Sequence, residues 1–443
     1  MINFHHKKLF YIILHIFLGG LLFYFPFIGS YYGLTILCYF TYIILFSPIF
    51  KNISPIMCSA YIIGLEVLIR MSQSFLFWEF GKLSIIYIIL IGLYRWGARN
   101  RFNVPILFYF ILLLPSILHL PIDSFNLWRQ NITFNLAGPA CLTILSLYLS
   151  KININRKELL DILFYSLLPV LSMAIFILLR MPNIYSYNFM PYSDPVTSGG
   201  FGPNQVSTIF GFIVIALAYG QICKGSISGR NFFDAFLLLL FLALGMITFS
   251  RGGLFAAIIS IILAFSYHFF FNKRKIIFVF NTFSLFAIAF FTFFTVVTIT
   301  EGAISKRYGF SGESYGERML LDLSGRAEIY KIDFAIFSDF LFTGVGPGNA
   351  TQLRKFYGYG KEISAHTEYS RMLSEHGLLG LIALLILLVM PLYYLMIQTL
   401  SINKTTIILF STLAILTLFH SAMRIAMPCF AYALIFPSFK EEI

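Results

Sequence analysis

Residues 365–380, AHTEYSRMLSEHGLLG, place two histidines, two glutamates and an arginine directly ahead of nearly twenty apolar residues. Histidine takes and returns a proton near neutral pH, so His366 is a candidate general base, with a purely structural histidine as the alternative. Glu368 either orients His366 or faces water. His376, beside Glu375 and Gly377, is expected to shape the start of the helix. The stretch has no HExxH pattern and no paired carboxylate spacing, so no metal is expected. Arg251 stands in ITFSRGGLFAA, between two apolar runs and without an acidic neighbour. An arginine near the bilayer centre costs roughly 2.5–3.5 kcal/mol on insertion scales, and one at the rim still seeks a partner. Arg251 is thus either a snorkelling anchor or an anion clamp, with Gly252 and Gly253 letting an anion approach the backbone. Arg326, in LSGRAEIY, falls in the first turn of an expected helix, where free N–H groups and the dipole attract anions. The alternative there is a solvated surface charge.

Two glycine-rich stretches read as structure. GVGPGN (344–349) lacks GxGxxG spacing and follows a helical pattern, so it is a helix-terminating turn and not a phosphate loop. GGFGPNQ (199–205) is a loop entering a helix, and Asn204 near that start either caps it or touches a ligand.

The elements that must position these residues are membrane helices. The mean hydropathy is +0.84 and only 11% of residues are charged, against about 25% in soluble domains. Apolar runs begin near residues 9, 31, 54, 83, 103, 132, 158, 204, 232, 253, 276, 370, 405 and 425. These give fourteen spans, or twelve if the short runs at 83–95 and 425–438 do not cross. The first run follows His5-His6-Lys7-Lys8 and lacks a small-residue cleavage site, so it is expected to remain as the first helix. The expected fold is all-α: a polytopic helical membrane protein of 12–14 transmembrane helices, with a long external loop containing an interfacial helix.

Charge sets the orientation. Lys51; Arg95, Arg99 and Arg101; Lys151, Arg156 and Lys157; Lys224 and Arg230; Lys273, Arg274 and Lys275; and Lys404 fall in alternate loops, whereas 25–30 and 183–203 carry no lysine or arginine. By the positive-inside rule both termini are cytoplasmic. Topology therefore accounts for most of the +12 net charge, and no nucleic-acid partner is expected. The five cysteines (38, 58, 141, 223 and 429) lie in or beside apolar segments without ligand spacing, so neither disulfides nor zinc are expected. Two polar regions then face outward, 183–205 and 301–369. The second is rich in basic residues, and within it Ile329, Ile332, Ile336 and Phe340 share one face of an expected interfacial helix over 326–340.

Taken in order, FSRGG closing a helical hairpin, a long external loop with SGR, and HTEYSRMLSEHGLLG opening the next span resemble the O-antigen ligase and polymerase superfamily. The resemblance covers roughly residues 190–400, and GGFGPNQVST is similar to a segment ahead of the core domain in that family. It implies three parts: N-terminal membrane helices (1–180), a ligase/polymerase-like core (181–400, including the external loop 301–369) and C-terminal membrane helices (401–443). It also implies that Arg251 and Arg326 hold the diphosphate of a polyprenyl-linked sugar donor. His366 is implied to act as base on an acceptor hydroxyl, with Glu368, Asn204 and His376 in supporting positions. Thr367-Glu368 follows the histidine where many relatives have an asparagine.

The implied activity is transfer of a polyprenyl-diphosphate-linked glycan to a hydroxyl on the periplasmic face of the bacterial inner membrane. It needs neither metal nor cofactor and inverts the anomeric carbon. Partners are the lipid-linked donor, a glycan or lipid A core acceptor, and membrane lipids. Within the superfamily a repeat-unit polymerase and a protein O-oligosaccharyltransferase are alternatives. The protein-modifying group often carries additional C-terminal soluble sequence, which is not expected after the last span here, and the standard context of the base motif favours a ligase over a polymerase. A secondary transporter or flippase is the alternative of a different class; it would want internal repeats and mid-membrane ionisable groups. No repeat is evident, and Glu66 is the one acid well inside an early span.

Overall fold

The computed structural model describes residues 4–48, 51–74, 76–97, 103–120, 125–183, 186–222, 225–271, 275–309, 326–359, 362, 365, 367–420 and 423–440. It is helical almost throughout, as the hydropathy requires: a backbone in lipid must satisfy its own hydrogen bonds, and an α-helix does so within one segment. The first half contains α1 (Phe4–Tyr24), α2 (Ile28–Phe46), α3 (Ser54–Met71), α4 (Phe80–Trp96), α5 (Val104–Ile111) with a 3-10 turn at Pro115–His119, α6 (Phe125–Leu149) and α7 (Arg156–Arg180). The second half contains α8 (Pro203–Ile222), α9 (Asn231–Ile247), α10 (Arg251–Phe271), α11 (Lys275–Ile299), α12 (Ala303–Tyr308), α13 (Arg326–Asp339), α14 (Asn349–Arg354), α15 (Glu368–Ile397), α16 (Ser401–Leu418) and α17 (Met427–Ala433). Nine of the described helices are long and apolar enough to cross a membrane, and Val104–His119, Asn231–Ile247 and Phe283–Ile299 are shorter apolar helical stretches.

A helix stands at every expected start, but two are short. At 1.5 Å per residue, the 8 residues of α5 and the 7 of α17 reach roughly 10–12 Å of a bilayer core about 30 Å thick. Both nevertheless belong to stretches that run from one end of the bundle to the other. Asn103, ahead of α5, donates to the Tyr394 hydroxyl near the C-terminal end of α15, while Ser116 beyond α5 is hydrogen-bonded to His376 near the N-terminal end of α15. After α17 the chain reaches β2 (Ser438–Lys440), which pairs in parallel with β1 (Asn153–Asn155) at the α6–α7 turn. These two passages are broken helices; the break at α17 is tolerated because that helix is buried in protein along its whole length.

One end of the bundle is closed by polar ties among the N-terminus, the α6–α7 turn and the 225–230 loop. Lys8 donates to the Ile227 carbonyl at 3.1 Å and pairs with Asp161 of α7 at 3.0 Å. Asn155 and Glu158 form a reciprocal capping box that starts α7. Helices α3 and α8 are buried along nearly their whole length and form the centre, whereas α1, α2, α10 and α15 keep much of their apolar surface outward.

The opposite end carries the connecting segments. The expected helix over 326–340 is present as α13, and Ile329, Ile332 and Ile336 are buried as a face. That face packs on α14 and α15, so it is occupied by protein; Phe340, assigned to the same face, is 45% exposed beside exposed Phe334, Leu341 and Phe342. A buried ion pair locks the arrangement: Arg354 Nε donates to Asp333 Oδ1 at 2.7 Å. Burial pushes the Asp333 carboxyl up, with Arg354 opposing. Residues 344–349 form the turn between α13 and α14, as expected.

Candidate functional site

The charged stretch that opens α15 is buried rather than exposed at a helix mouth. Glu368, Ser374, Glu375 and His376 are each at most 1% exposed. The helix is broken at Gly377, whose φ of +61° and ψ of −142° separate residues 368–376 from the apolar remainder. The break frees the carbonyls of Ser374 and Glu375, which accept the Val345 and Gly346 N–H groups at 3.0 Å, while Leu378 N–H donates to the Leu341 carbonyl at 2.7 Å. A Cβ on Gly377 would lie 2.5 Å from that Leu341 oxygen, so the close approach needs glycine.

Arg371 is the hub of this turn. Its guanidinium donates to both oxygens of Glu368, to Glu375 Oε2 at 3.0 Å and to the side-chain oxygen of Asn135 in α6 at 3.1 Å. Glu368 also accepts the Met423 N–H at 3.3 Å. The expectation that Glu368 orients His366 or faces water is therefore corrected in its second half: the carboxylate is buried and held by Arg371 and Met423. His376 is held too, its Nδ1 2.7 Å from Ser116 Oγ.

Residues 423–426, ahead of α17, are irregular, and charged side chains satisfy their backbone. Lys82 donates to the Met423 carbonyl at 3.0 Å and pairs with Glu79; Glu66 accepts the Ala426 N–H at 2.8 Å and pairs with Arg70 at 2.8 Å; Arg424 donates to the Ala365 carbonyl at 2.7 Å. Glu66, Glu79, Glu368 and Glu375 thus stand against Arg70, Lys82, Arg371 and Arg424. Buried charges survive only when paired and hydrogen-bonded, and here the sums match. Above this network lies a cavity of about 460 Å³, lined by Trp78, Glu79, Asn131, Asn135, Ala365, Glu368, Arg371, Glu375 and Arg424 among others.

Arg251 does not line that cavity. It is the first residue of α10, and its Nη1 donates to the Arg307 carbonyl at 3.3 Å. Arg307 in turn donates to the carbonyls of Phe249 (3.0 Å) and Pro191 (3.4 Å), tying the α9–α10 turn to α12 and the 183–205 loop. Tyr308 is half-buried, with its hydroxyl buried near both guanidiniums; burial pushes that hydroxyl up to about 12 against their opposing charge. Asn204 is the second residue of α8, and its side-chain oxygen accepts from the Ser250 hydroxyl at 2.7 Å. It braces the residue before Arg251 instead of capping the helix. The two glycines after Arg251 also have a different reason from the one expected. A Cβ on Gly252 would meet the His420 ring at 2.3 Å, and one on Gly253 the Ser207 backbone at 2.3 Å. They admit protein, not an anion.

Arg326 is the first residue of α13, as expected. Its side chain and the whole of His366 lie outside the described residues. Ala365, ahead of His366 in sequence, forms part of the cavity wall, and Thr367 after it caps α15 by accepting the Ser370 N–H. Sequence reasoning missed Arg371, Arg424, Glu79 and Lys82. A signal for most of them was present: Glu66–Arg70, Glu79–Lys82, Glu368–Arg371 and Arg371–Glu375 are opposite charges at i,i+3 or i,i+4 within apolar surroundings, the spacing at which helical neighbours pair. Nothing local marks Arg424.

Long apolar helices gathered around a polar, internally neutral site at one end define a multi-pass membrane protein. Residues 236–385 match the family described as O-antigen ligase, which places that segment in the O-antigen ligase superfamily and bears out the resemblance carried by FSRGG, SGR and HTEYSRMLSEHGLLG. The family is one of ligase- and polymerase-type membrane glycosyltransferases with lipid-linked glycan substrates. No curated protein matches the chain.

Proposed function

We propose that the chain is an inner-membrane glycosyltransferase of the ligase type, moving a polyprenyl-diphosphate-linked glycan onto an acceptor hydroxyl at the periplasmic face. The carrying observation is that the matched segment, 236–385, contains Arg251, Arg326 and His366 together. In this reading the core spans 181–400, with membrane helices on either side. Arg251 and Arg326 each open a helix, where the positive end of the helix dipole adds to the guanidinium's attraction for an anion.

The chemistry follows from those residue types. The acceptor oxygen attacks the anomeric carbon from the face opposite the diphosphate as neutral His366 takes its proton. The bond from that carbon to the phosphate oxygen breaks, and polyprenyl diphosphate leaves with its charge held by the two arginines. The anomeric configuration inverts, and the His366 proton passes to solvent. Asn204 and Glu368 support the arrangement through Ser250 and Arg371. The test is transfer by the purified protein from a lipid-linked donor in the presence of EDTA. Turnover at the untreated rate is expected; loss restored by a divalent metal would overturn the two-arginine mechanism. A deletion strain then identifies the acceptor: lipid-linked polymer accumulating without surface glycan marks a ligase, and a single capped repeat marks a polymerase.

A further inference from the structure

The 460 Å³ cavity falls within the roughly 300–1,000 Å³ typical of small-molecule sites, and its lining argues against the donor diphosphate as its occupant. Four carboxylates line it (Glu79, Glu362, Glu368 and Glu375) against two guanidiniums (Arg371 and Arg424). Both guanidiniums are already engaged, Arg371 by Glu368, Glu375 and Asn135 and Arg424 by the Ala365 carbonyl, which disfavours their gripping a diphosphate. A sugar ring meets complementary groups. Trp78 is 57% exposed at the cavity, with its ring 5.5 Å from the Arg70 guanidinium, and an aromatic face suits the C–H face of a pyranose. Asn131 adds a planar amide that both donates and accepts. Glu79 is 4% exposed and paired with Lys82 through Oε2, yet its Oε1 has no hydrogen-bond partner among the described residues. A buried acceptor left in that state costs about 1–3 kcal/mol, which a ligand hydroxyl would relieve. Ala365 completes the wall, its carbonyl held by Arg424.

We propose that this cavity is the acceptor-sugar subsite, and that Trp78, Glu79 and Asn131 determine which acceptor is taken. The proposal rests on the transferase reading above. It places acceptor choice on residues outside the segment 236–385 that carries the family match.

The experiment uses the full-length protein in detergent, with W78A, E79Q and N131A. The acceptor probe is the oligosaccharide released by mild acid from the envelope of the source organism. Initial rates are measured with acceptor and lipid-linked donor varied separately. The acceptor KM should rise about tenfold in each variant, the equivalent of one or two lost hydrogen bonds, while the donor KM stays unchanged. E79Q also disturbs the pair with Lys82, so W78A and N131A carry the result if it folds poorly. A rise in donor KM alone, or no change in either, overturns the proposal. The same oligosaccharide is titrated into protein without donor while tryptophan fluorescence is followed, with Trp78→Phe as the reference. Saturable binding by a protein that transfers nothing keeps the sugar site and removes the transferase reading. Transfer with unaltered acceptor KM in all variants keeps that reading and removes the site.

Discussion

His366 and His376 lie ten residues apart and call for opposite outcomes on truncation. His376 is 1% exposed and bonded to Ser116, which keeps its bond to the Leu113 carbonyl, so His376→Ala removes a buried hydrogen bond worth about 0.5–1.5 kcal/mol and opens a cavity that adds to the loss. Folded yield should fall, while turnover per folded molecule should stay near normal. His366→Ala should leave yield unchanged and lower transfer by ~100- to 10,000-fold, the usual contribution of a general base. Both quantities come from one preparation, as monodisperse protein recovered and rate at matched amounts. Normal turnover in His366→Ala would pass the role of base to another residue. The arginines make a second prediction. Arg251→Lys and Arg326→Lys keep the charge but lose the planar fork that binds two phosphate oxygens at once, so each should raise the donor KM with the acceptor KM unmoved. Full activity in both would return Arg251 to a tie for the 307 carbonyl and Arg326 to surface charge. At this scale the sequence showed which residue types cluster, because chemistry-bearing residues are rare in an apolar chain. It did not show that Glu368 and His376 are buried, because burial depended on the break at Gly377 and on contacts from α6 and from the segment after α16.

Element positions were legible because an apolar run of about twenty residues has few other uses. All fourteen expected starts carry helices, yet α5 and α17 are short pieces of longer, broken passages. Hydropathy cannot separate a continuous helix from one interrupted inside protein, since both sequences are equally apolar. The break in α15 was similarly hidden, as glycine is common in membrane helices. It makes a prediction. Gly377→Ala combines a positive φ with a Cβ 2.5 Å from the Leu341 carbonyl, whereas Gly302→Ala has a φ of +82° and open space around its Cβ. Strain alone costs about 1–3 kcal/mol, so Gly302→Ala should lower the melting temperature modestly and Gly377→Ala substantially more. The check is thermal unfolding of both purified variants. Equal losses would mean that the kink needs only the backbone angle and that the docking of 341–346 is not held by close approach.

At the scale of the whole molecule, the fold ties together charged segments that lie far apart in sequence. Lys8 meets Ile227 and Asp161, and β2 pairs with β1 beside Lys151, Arg156 and Lys157. The N-terminus, the α6–α7 turn, the 225–230 loop and the C-terminal strand therefore share one end of the bundle, and that end carries the basic loops. The other end holds the 183–203 stretch, which has no lysine or arginine, together with Arg251, α12 and the cavity. Positive charge near span ends resists translocation, so the basic end should face the cytoplasm and the cavity the periplasm. The prediction is read by labelling intact cells with a membrane-impermeant maleimide after replacing the five native cysteines. Ser186→Cys, exposed in the 183–203 stretch, should react from outside, and Lys51→Cys, exposed ahead of α3, should react only after the membrane is permeabilised. Labelling at Lys51→Cys alone would turn the molecule over. Because the α5 passage and α15 run together from one end to the other, with Asn103 at Tyr394 and Ser116 at His376, that outcome would carry the cavity to the cytoplasm and exclude transfer at the periplasmic face.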